Sequence, residues 1–425
     1  MGLSGPVSNG ERNLRGLDFF LLWSGAAISL AEIWAGGLLL PLGLAGGLVA
    51  IVLGHVIGNT PMALAGVIGS RHGVPAIVST RGALGNRGAH LPAALNIVQL
   101  AGWTAVMLWI AGHSAARLTS TGARTWILLM GALTTLWALA GHRLWKWLQR
   151  CAVFFLLVLS VLMTRHALGE YGFRGLLAIP PKPGLTFMAG LDLVIAMPVS
   201  WIPLVSDYSR YAADPKRGFW CTWWGYLIVS SWMYVVGLCA ALATGSGTPD
   251  AMVLDLMSSH GLLLSALMVV LFSTLTTNFL DIYSNAVSMQ AIWPRLNERA
   301  GILLAGASGT LLALFFPAQQ YENFLLLIGS AFCPLFGVVM ADYFVLNKSS
   351  YEAYELFRKG RYWRTGGVNS SALLAWLCGF LLYRLSARGG WVIGASLPAM
   401  LAAGALYLAL MKIPKPGTYA PAPEL

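Results

Sequence analysis

One acid stands inside a stretch with no other charge. Glu32 lies in residues 19–40, a run of aliphatic, aromatic and small residues. The run is long enough to cross a bilayer, for which about 20 apolar residues suffice. A carboxylate at mid-span costs at least roughly 2.5 kcal/mol, so such a helix turns the acid toward a polar cavity and the acid becomes a candidate binding group. Ser24, Gly25, Ala26, Ala27, Ser29, Gly36 and Gly37 surround it. These small residues let the helix loosen and bare its carbonyls.

Further polar residues recur in other apolar runs. Asn96, Gln99 and Trp103 follow helical spacing and share one face. Two amides beside an indole suit a planar heterocycle: the ring stacks and the amides read its edge. The same trio also serves for hydrogen bonds between helices and for packing. Met197, Ser200 and Trp201 flank Pro198 and Pro203. Each proline removes a backbone donor, which produces a plain kink or leaves carbonyls and amides free for a ligand, with Trp201 as a flat neighbour. Ser273, Thr276 and Thr277 fall within a turn of each other. Their hydroxyl and carbonyl oxygens are what a hard cation such as sodium prefers, unless the hydroxyls bond their own helix. Asp281 follows one turn later, as a proton or ion relay or as an acid near the inner interface. Both acids, Glu32 and Asp281, keep a proton open as the coupling ion. His55 reads as a packing residue. Asp207 reads as gate or structure, paired with Arg210 or capping local backbone.

These residues need membrane helices to position them. The chain is 57% hydrophobic and 10% charged, whereas a soluble domain is about a quarter charged. Twelve spans are expected, at about 18–42, 45–70, 91–116, 123–141, 143–164, 185–206, 218–243, 261–288, 300–317, 321–345, 368–387 and 390–411. The division follows: a tail (1–17), a first unit of five spans (18–164), a second of five (185–345), two peripheral spans (368–411) and a tail (412–425). A Pro/Gly-rich loop at 167–184 separates the two sets of five. The charged loop at 348–367 separates them from the final pair. Interrupted helices in corresponding places, here the first and sixth, mark a transporter site near the midplane.

With the N-terminus inside, only Arg117, Arg124, Arg165, Arg174, Lys182, Arg384 and Arg388 of the 27 Lys and Arg fall outside. This bias leads one to expect both termini in the cytoplasm and an even number of spans. The net charge of +11 then reflects topology and contact with anionic lipid. No basic patch interleaved with exposed aromatics points to nucleic acid. Cys151, Cys221, Cys239, Cys333 and Cys378 form no CxxC pair and read as small core residues. The polar start and the length of the first apolar run do not read as a cleavable signal. A membrane-embedded enzyme would need an acid or histidine cluster at a membrane face, and a channel a repeated filter. The sequence offers neither. No cofactor is expected beyond the coupling ion, and a monomer is expected.

Five segments carry a family resemblance: Glu32-Ile33-Trp34-Ala35-Gly36-Gly37, Gln99-Leu100-Ala101-Gly102-Trp103, Ser206-Asp207-Tyr208-Ser209-Arg210-Tyr211, Thr276-Thr277-Asn278, and Pro334-Leu335-Phe336-Gly337-Val338-Val339-Met340-Ala341-Asp342-Tyr343. The chain resembles the first nucleobase–cation symporter family in its cytosine-permease branch, most closely the hydroxymethylpyrimidine permeases. The resemblance implies an all-α inverted-repeat fold of the leucine-transporter type, five helices plus five, with two further helices. It implies import of a pyrimidine-type base, hydroxymethylpyrimidine foremost and cytosine or a hydantoin as alternatives, coupled to sodium. It makes Trp103 the stacking residue and Asn278 an amide beside the site. It assigns sodium to Thr276, Thr277, the Ser273 carbonyl and carbonyls near Ser29 to Glu32. Glu32, Gln99, Trp103, Met197, Ser200, Trp201 and Asn278 are the expected substrate contacts. Met107 stands where some relatives have Gln, Gln99 lies four residues before Trp103 where cytosine permeases have it three before, and Glu32 replaces a small polar residue; these departures turn the expectation toward an aminopyrimidine.

Overall fold

A computed structural model describes residues 5–140, 172–245 and 263–412, together with positions 154, 157, 158, 161, 164 and 165. The expected fifth span, 143–164, therefore lies almost wholly outside the described residues. The described secondary structure is helical. Its helices are α1 (Gly16–Ala27), α2 (Leu30–Gly37), α3 (Gly43–His72), the short α4 (Ala76–Ser79) and α5 (Arg81–Leu84), α6 (His90–Thr119) and α7 (Ala123–Leu139). They continue with the short α8 (Phe173–Leu177), α9 (Phe187–Ser200), α10 (Ile202–Ser209), α11 (Pro215–Thr244) and α12 (Leu263–Ile292). The last are α13 (Glu298–Ala313), α14 (Tyr321–Met340), α15 (Ser370–Gly389) and α16 (Ser396–Lys412). Every other expected span coincides with one of these helices or with a consecutive pair. Among the described residues, six helices are long and apolar enough to cross a membrane, and the bent pair α1–α2 makes a seventh.

Local sequence sets the helix ends. The Asp214 side chain accepts from Lys216 N at 2.9 Å and Arg217 N at 3.2 Å, with Pro215 in the first helical position of α11. Asn297 caps α13 in the same way. Such caps satisfy amides that have no partner inside the helix. Gly73 ends α3 with φ +68°, a left-handed conformation that glycine adopts without strain.

The first span breaks as expected, at the start of the Ser/Glu/Gly-Gly stretch. Ile28 (ψ 81°) and Ser29 (ψ 152°) leave the helix, and α1 and α2 meet at 57°. Ser29 Oγ accepts from Glu32 N at 3.2 Å and so caps α2. Gly36 and Gly37 do not make the break. A Cβ on Gly36 would sit 2.1 Å from the Tyr234 carbonyl oxygen, and one on Gly237 1.9 Å from that of Ile33. Glycine at both positions lets the backbones of α2 and α11 touch.

The sixth span corrects the expectation of a second fracture. It is interrupted only at Trp201, whose backbone stays helical (φ −83°, ψ −15°), and Phe187–Ser209 runs as one crossing of 23 residues. Two amides on α6 explain how. Gln99 Nε2 donates to Ser200 O at 2.8 Å, and Asn96 Nδ2 to Pro203 O at 3.2 Å. Side chains thus occupy two carbonyls at the interruption, where Leu204 N turns to Trp201 O, and the helix loosens without breaking.

α3 lies against α9, α10 and α11, while α6 lies against α7, α12 and α13. α14 packs on α15 and α16, and α16 is tied to α9 where Asp192 accepts from Ala395 N and Ser396 N, each at 2.8 Å. At one end of the bundle Val7 N donates to Gly73 O, Leu14 N to Tyr211 O, and Arg81 to Leu356 O and Ala291 O. The segments expected on one membrane side therefore do meet. Leucines and valines such as Val52, Leu304 and Leu311 point outward, which suits a chain solvated by lipid.

Candidate substrate and ion site

α2 begins inside the bundle, with Glu32 in its first turn. The glycine contact presses it onto α11, where Tyr226, Ser230 and Tyr234 recur every fourth residue and share a face. Tyr226 Oη donates to Glu32 Oε1 at 2.5 Å and Ser230 Oγ to Glu32 Oε2 at 2.8 Å. Glu32 is 1% exposed. The carboxyl is buried with two hydroxyl partners and, among the described residues, no basic side chain bonded to it, an arrangement that limits the cost of burying a polar group.

In front of Glu32 is a cavity of about 10 Å³, lined by Ser29, Ala31, Glu32, Trp103, Met107, Met197, Ser200, Trp201, Thr277 and Asp281. That is room for about one water. The site is closed, and a ring enters only when its walls part. Two indoles, two thioethers and two carboxyls form those walls. Trp201 is oriented by its Nε1, which donates to Tyr226 Oη at 2.7 Å, and by an edge contact with Trp23 at 5.6 Å. Trp103 meets Tyr321 and Phe324 edge-on at 6.2 and 5.3 Å, and its Nε1 is buried without a partner. Asp281 is 2% exposed and accepts no hydrogen bond from the described residues. An unpartnered carboxyl in a buried wall is a strong attractor for a cation or a donor group.

The structure thus gathers Ser29, Glu32, Trp103, Met197, Ser200, Trp201, Thr277 and Asp281 around one space. Gln99 and Asn278 stand outside the lining. Gln99 is engaged with Asn96 and the sixth span, although its Oε1 is unpaired. Asn278 Nδ2 donates to Thr104 O at 3.4 Å, and its Oδ1 is unpaired. The oxygens expected for a cation divide as well. Thr277 Oγ1 donates to Ala26 O at 3.4 Å, and no backbone amide takes that carbonyl. Thr276 Oγ1 turns back to Phe272 O and Ser273 O, and Ser273 Oγ is buried and unpaired. Ser29 O accepts from Ile33 N, and the Glu32 carboxyl belongs to Tyr226 and Ser230. Among the described residues, Ala26 O at the break is a first-span oxygen that meets a hydroxyl of the eighth span.

Sequence reasoning missed Tyr226 and Ser230 and left His55 in the packing. His55 Nε2 lies 2.5 Å from Ser230 Oγ, and its Nδ1 2.8 Å from Ile51 O. The four-residue spacing of Tyr226, Ser230 and Tyr234 was the available signal. Asp207 is structural: it accepts from Ala76 N at 3.0 Å and ties α10 to α4. No group of three metal-ligating side chains occurs among the described residues.

A broken first helix with a closed, aromatic-walled cavity at the break defines a polytopic secondary transporter of the leucine-transporter fold. The same architecture is found in Mhp1, a nucleobase-cation-symport-1 family transporter solved closed with bromovinylhydantoin bound. It superposes with a TM-score of 0.87 over 97% of this chain and 95% of that one, at 20% identity. The chain belongs to the family of permeases for cytosine/purines, uracil, thiamine and allantoin, whose model matches residues 6–406. It is 27% identical over 418 residues to the cytosine permease of Escherichia coli strain K12, covering 96% of this chain and 94% of that protein. It is 23% identical to the hydantoin permease of Microbacterium maritypicum, covering 87% and 81%. The protein is a multi-pass membrane transporter for a nucleobase-type small molecule and not an enzyme.

Proposed function

We propose that the protein imports an aminopyrimidine, hydroxymethylpyrimidine foremost, across a bacterial cytoplasmic membrane with sodium, both termini lying in the cytoplasm. One observation carries the reading: the walls of a single cavity hold the rings of Trp103 and Trp201 and the carboxyls of Glu32 and Asp281. Two indoles suit a flat ring. Carboxyl oxygens accept from an exocyclic amine and from a protonated ring nitrogen, and a charge-assisted bond in a dry site is stronger than a neutral one. Cytosine is the second reading, since it also carries an amine beside a ring nitrogen and a cytosine permease is similar over almost the whole chain.

In this reading sodium binds Ala26 O, the Thr277 hydroxyl and the Ser273 carbonyl, and what supports it is that these are hard oxygens from the break and from α12. Binding there stitches α1 to α12 and stabilises the closed form by the ion's differential affinity for it.

Uptake into proteoliposomes with a competition panel tests this. Hydroxymethylpyrimidine and cytosine compete, whereas uracil, which lacks the amine, competes about tenfold to a hundredfold less, as expected for losing a hydrogen bond of about 1.5–3 kcal/mol to a charged group. Glu32→Gln abolishes uptake while expression is retained. Equal competition by uracil removes the carboxylates from recognition. Unchanged uptake after replacing sodium with choline removes sodium.

A further inference from the structure

Behind the cavity the hydrogen bonds can be counted, and the count does not close with ordinary protonation. Five contacts run in series: Ile51 O to His55 Nδ1, His55 Nε2 to Ser230 Oγ, Ser230 Oγ to Glu32 Oε2, Glu32 Oε1 to Tyr226 Oη, and Tyr226 Oη to Trp201 Nε1. Each needs one hydrogen. Ile51 O only accepts, so Nδ1 holds a hydrogen. The indole only donates, so the Tyr226 hydrogen goes to Glu32. A neutral imidazole, one serine, one tyrosine and one tryptophan supply four hydrogens for these five contacts. Without a fifth, either two lone pairs face each other at 2.5 Å between His55 and Ser230, or Ser230 and Glu32 face each other without a hydrogen.

We propose that Glu32, Ser230 and His55 form a relay that binds one extra proton and shuttles it between the carboxyl and the imidazole. In one state Glu32 Oε2 carries the proton and His55 is neutral. In the other, Glu32 gives its proton to Ser230 Oγ while the Ser230 proton passes to His55 Nε2, leaving a carboxylate and an imidazolium. The trio has no net charge in either state, which suits three residues that are all 1% exposed or less. His55 is a dead end, because its other nitrogen is held by Ile51 O. The proton reaches it and leaves it only through Glu32, which lines the cavity. His55 is therefore a positioning residue. It stores the proton when a donor in the cavity calls for a carboxylate, and returns it when the cavity closes.

The titratable groups around the relay are Tyr226 and Tyr234 on α11, with rings 6.4 and 4.9 Å from His55, Tyr321 on α14, which bonds Ala31 O, and Asp281 on α12 across the cavity. No Lys or Arg forms an ion pair with Glu32 or His55 among the described residues.

The relay stands on geometry alone, and its test needs no transport. Full-length purified protein carrying 15N-histidine reports the charge and tautomer of His55, assigned by His55→Gln. The infrared C=O band of the protonated carboxyl, assigned by Glu32→Gln, reports Glu32. Near neutral pH the two signals are complementary: the fraction of charged imidazole and the fraction of protonated carboxyl sum to about one, since the trio holds one proton in both states. In Glu32→Gln the amide supplies the fifth hydrogen and His55 stays neutral with its proton on Nδ1. In Ser230→Ala, which keeps both titrating groups but removes the link, the complementarity is lost. A neutral His55 together with an absent carboxyl band in the wild type overturns the proposal. So does wild-type complementarity in Ser230→Ala.

Discussion

Tyr226→Phe removes a single oxygen that serves two partners. The Tyr226 hydroxyl accepts from Trp201 Nε1 at 2.7 Å and donates to Glu32 Oε1 at 2.5 Å. All three residues are buried, at 0%, 6% and 1% exposure in that order. The substitution barely changes the shape of the ring, so packing is conserved. It leaves an indole N–H without an acceptor and a carboxyl oxygen without a donor. Each unsatisfied buried group costs about 1–3 kcal/mol, so the expected loss of stability is about 2–6 kcal/mol. Tyr354 is 76% exposed, and its change to Phe is the control, expected within about 0.5 kcal/mol of the wild type. Equilibrium unfolding in mixed micelles measures the loss. Uptake measures a second consequence, because the hydroxyl orients both an aromatic wall and an acid wall of the cavity. A double-mutant cycle with Glu32→Gln should return a coupling of at least about 0.5 kcal/mol, as residues in one hydrogen-bond network do. Tyr226→Phe with wild-type stability and wild-type uptake would refute the network.

Three other substitutions separate the ion, the fold and the ligand. Thr277→Val removes the hydroxyl facing Ala26 O and should shift the sodium activation curve for uptake at least tenfold upward, leaving the order of base competition unchanged. Gly237→Ala places a Cβ 1.9 Å from Ile33 O; α2 must lift from α11, so folded yield in detergent falls sharply, while Gly10→Ala, where nothing lies within 4 Å, leaves it unchanged. Asn96→Ala frees Pro203 O and Ser288 Oγ, which should cost about 1–3 kcal/mol in unfolding measurements without altering which base is preferred.

The parts of this molecule legible in its sequence are those that a local pattern decides. Apolar run lengths and arginine placement located the helices and the loops that meet at one end. The small residues before Glu32 signalled a break, although its position depends on a cap, Ser29 Oγ on Glu32 N, that competes with several equally small neighbours. The prolines of the sixth span invited the opposite error. Pro203 sits in the first turn of α10, where the missing N–H would have had no intrahelical partner in any case. The carbonyls nearby are taken by Asn96 and Gln99. Periodicity correctly put those amides on one face, but it could not say whether that face meets a ligand or another helix, since their partners lie 107 and 101 residues away in the chain. The same limit hid the surroundings of Glu32. Its carboxyl partners are 194 and 198 residues distant, and they are an uncharged tyrosine and a serine, types that attract no notice in an aromatic-rich helix. What an acid inside a membrane requires is a set of donors, and α11 carries two on one face. A search for neutral donors at four-residue spacing, rather than for a compensating charge, would have found Tyr226 and Ser230 and, through them, His55.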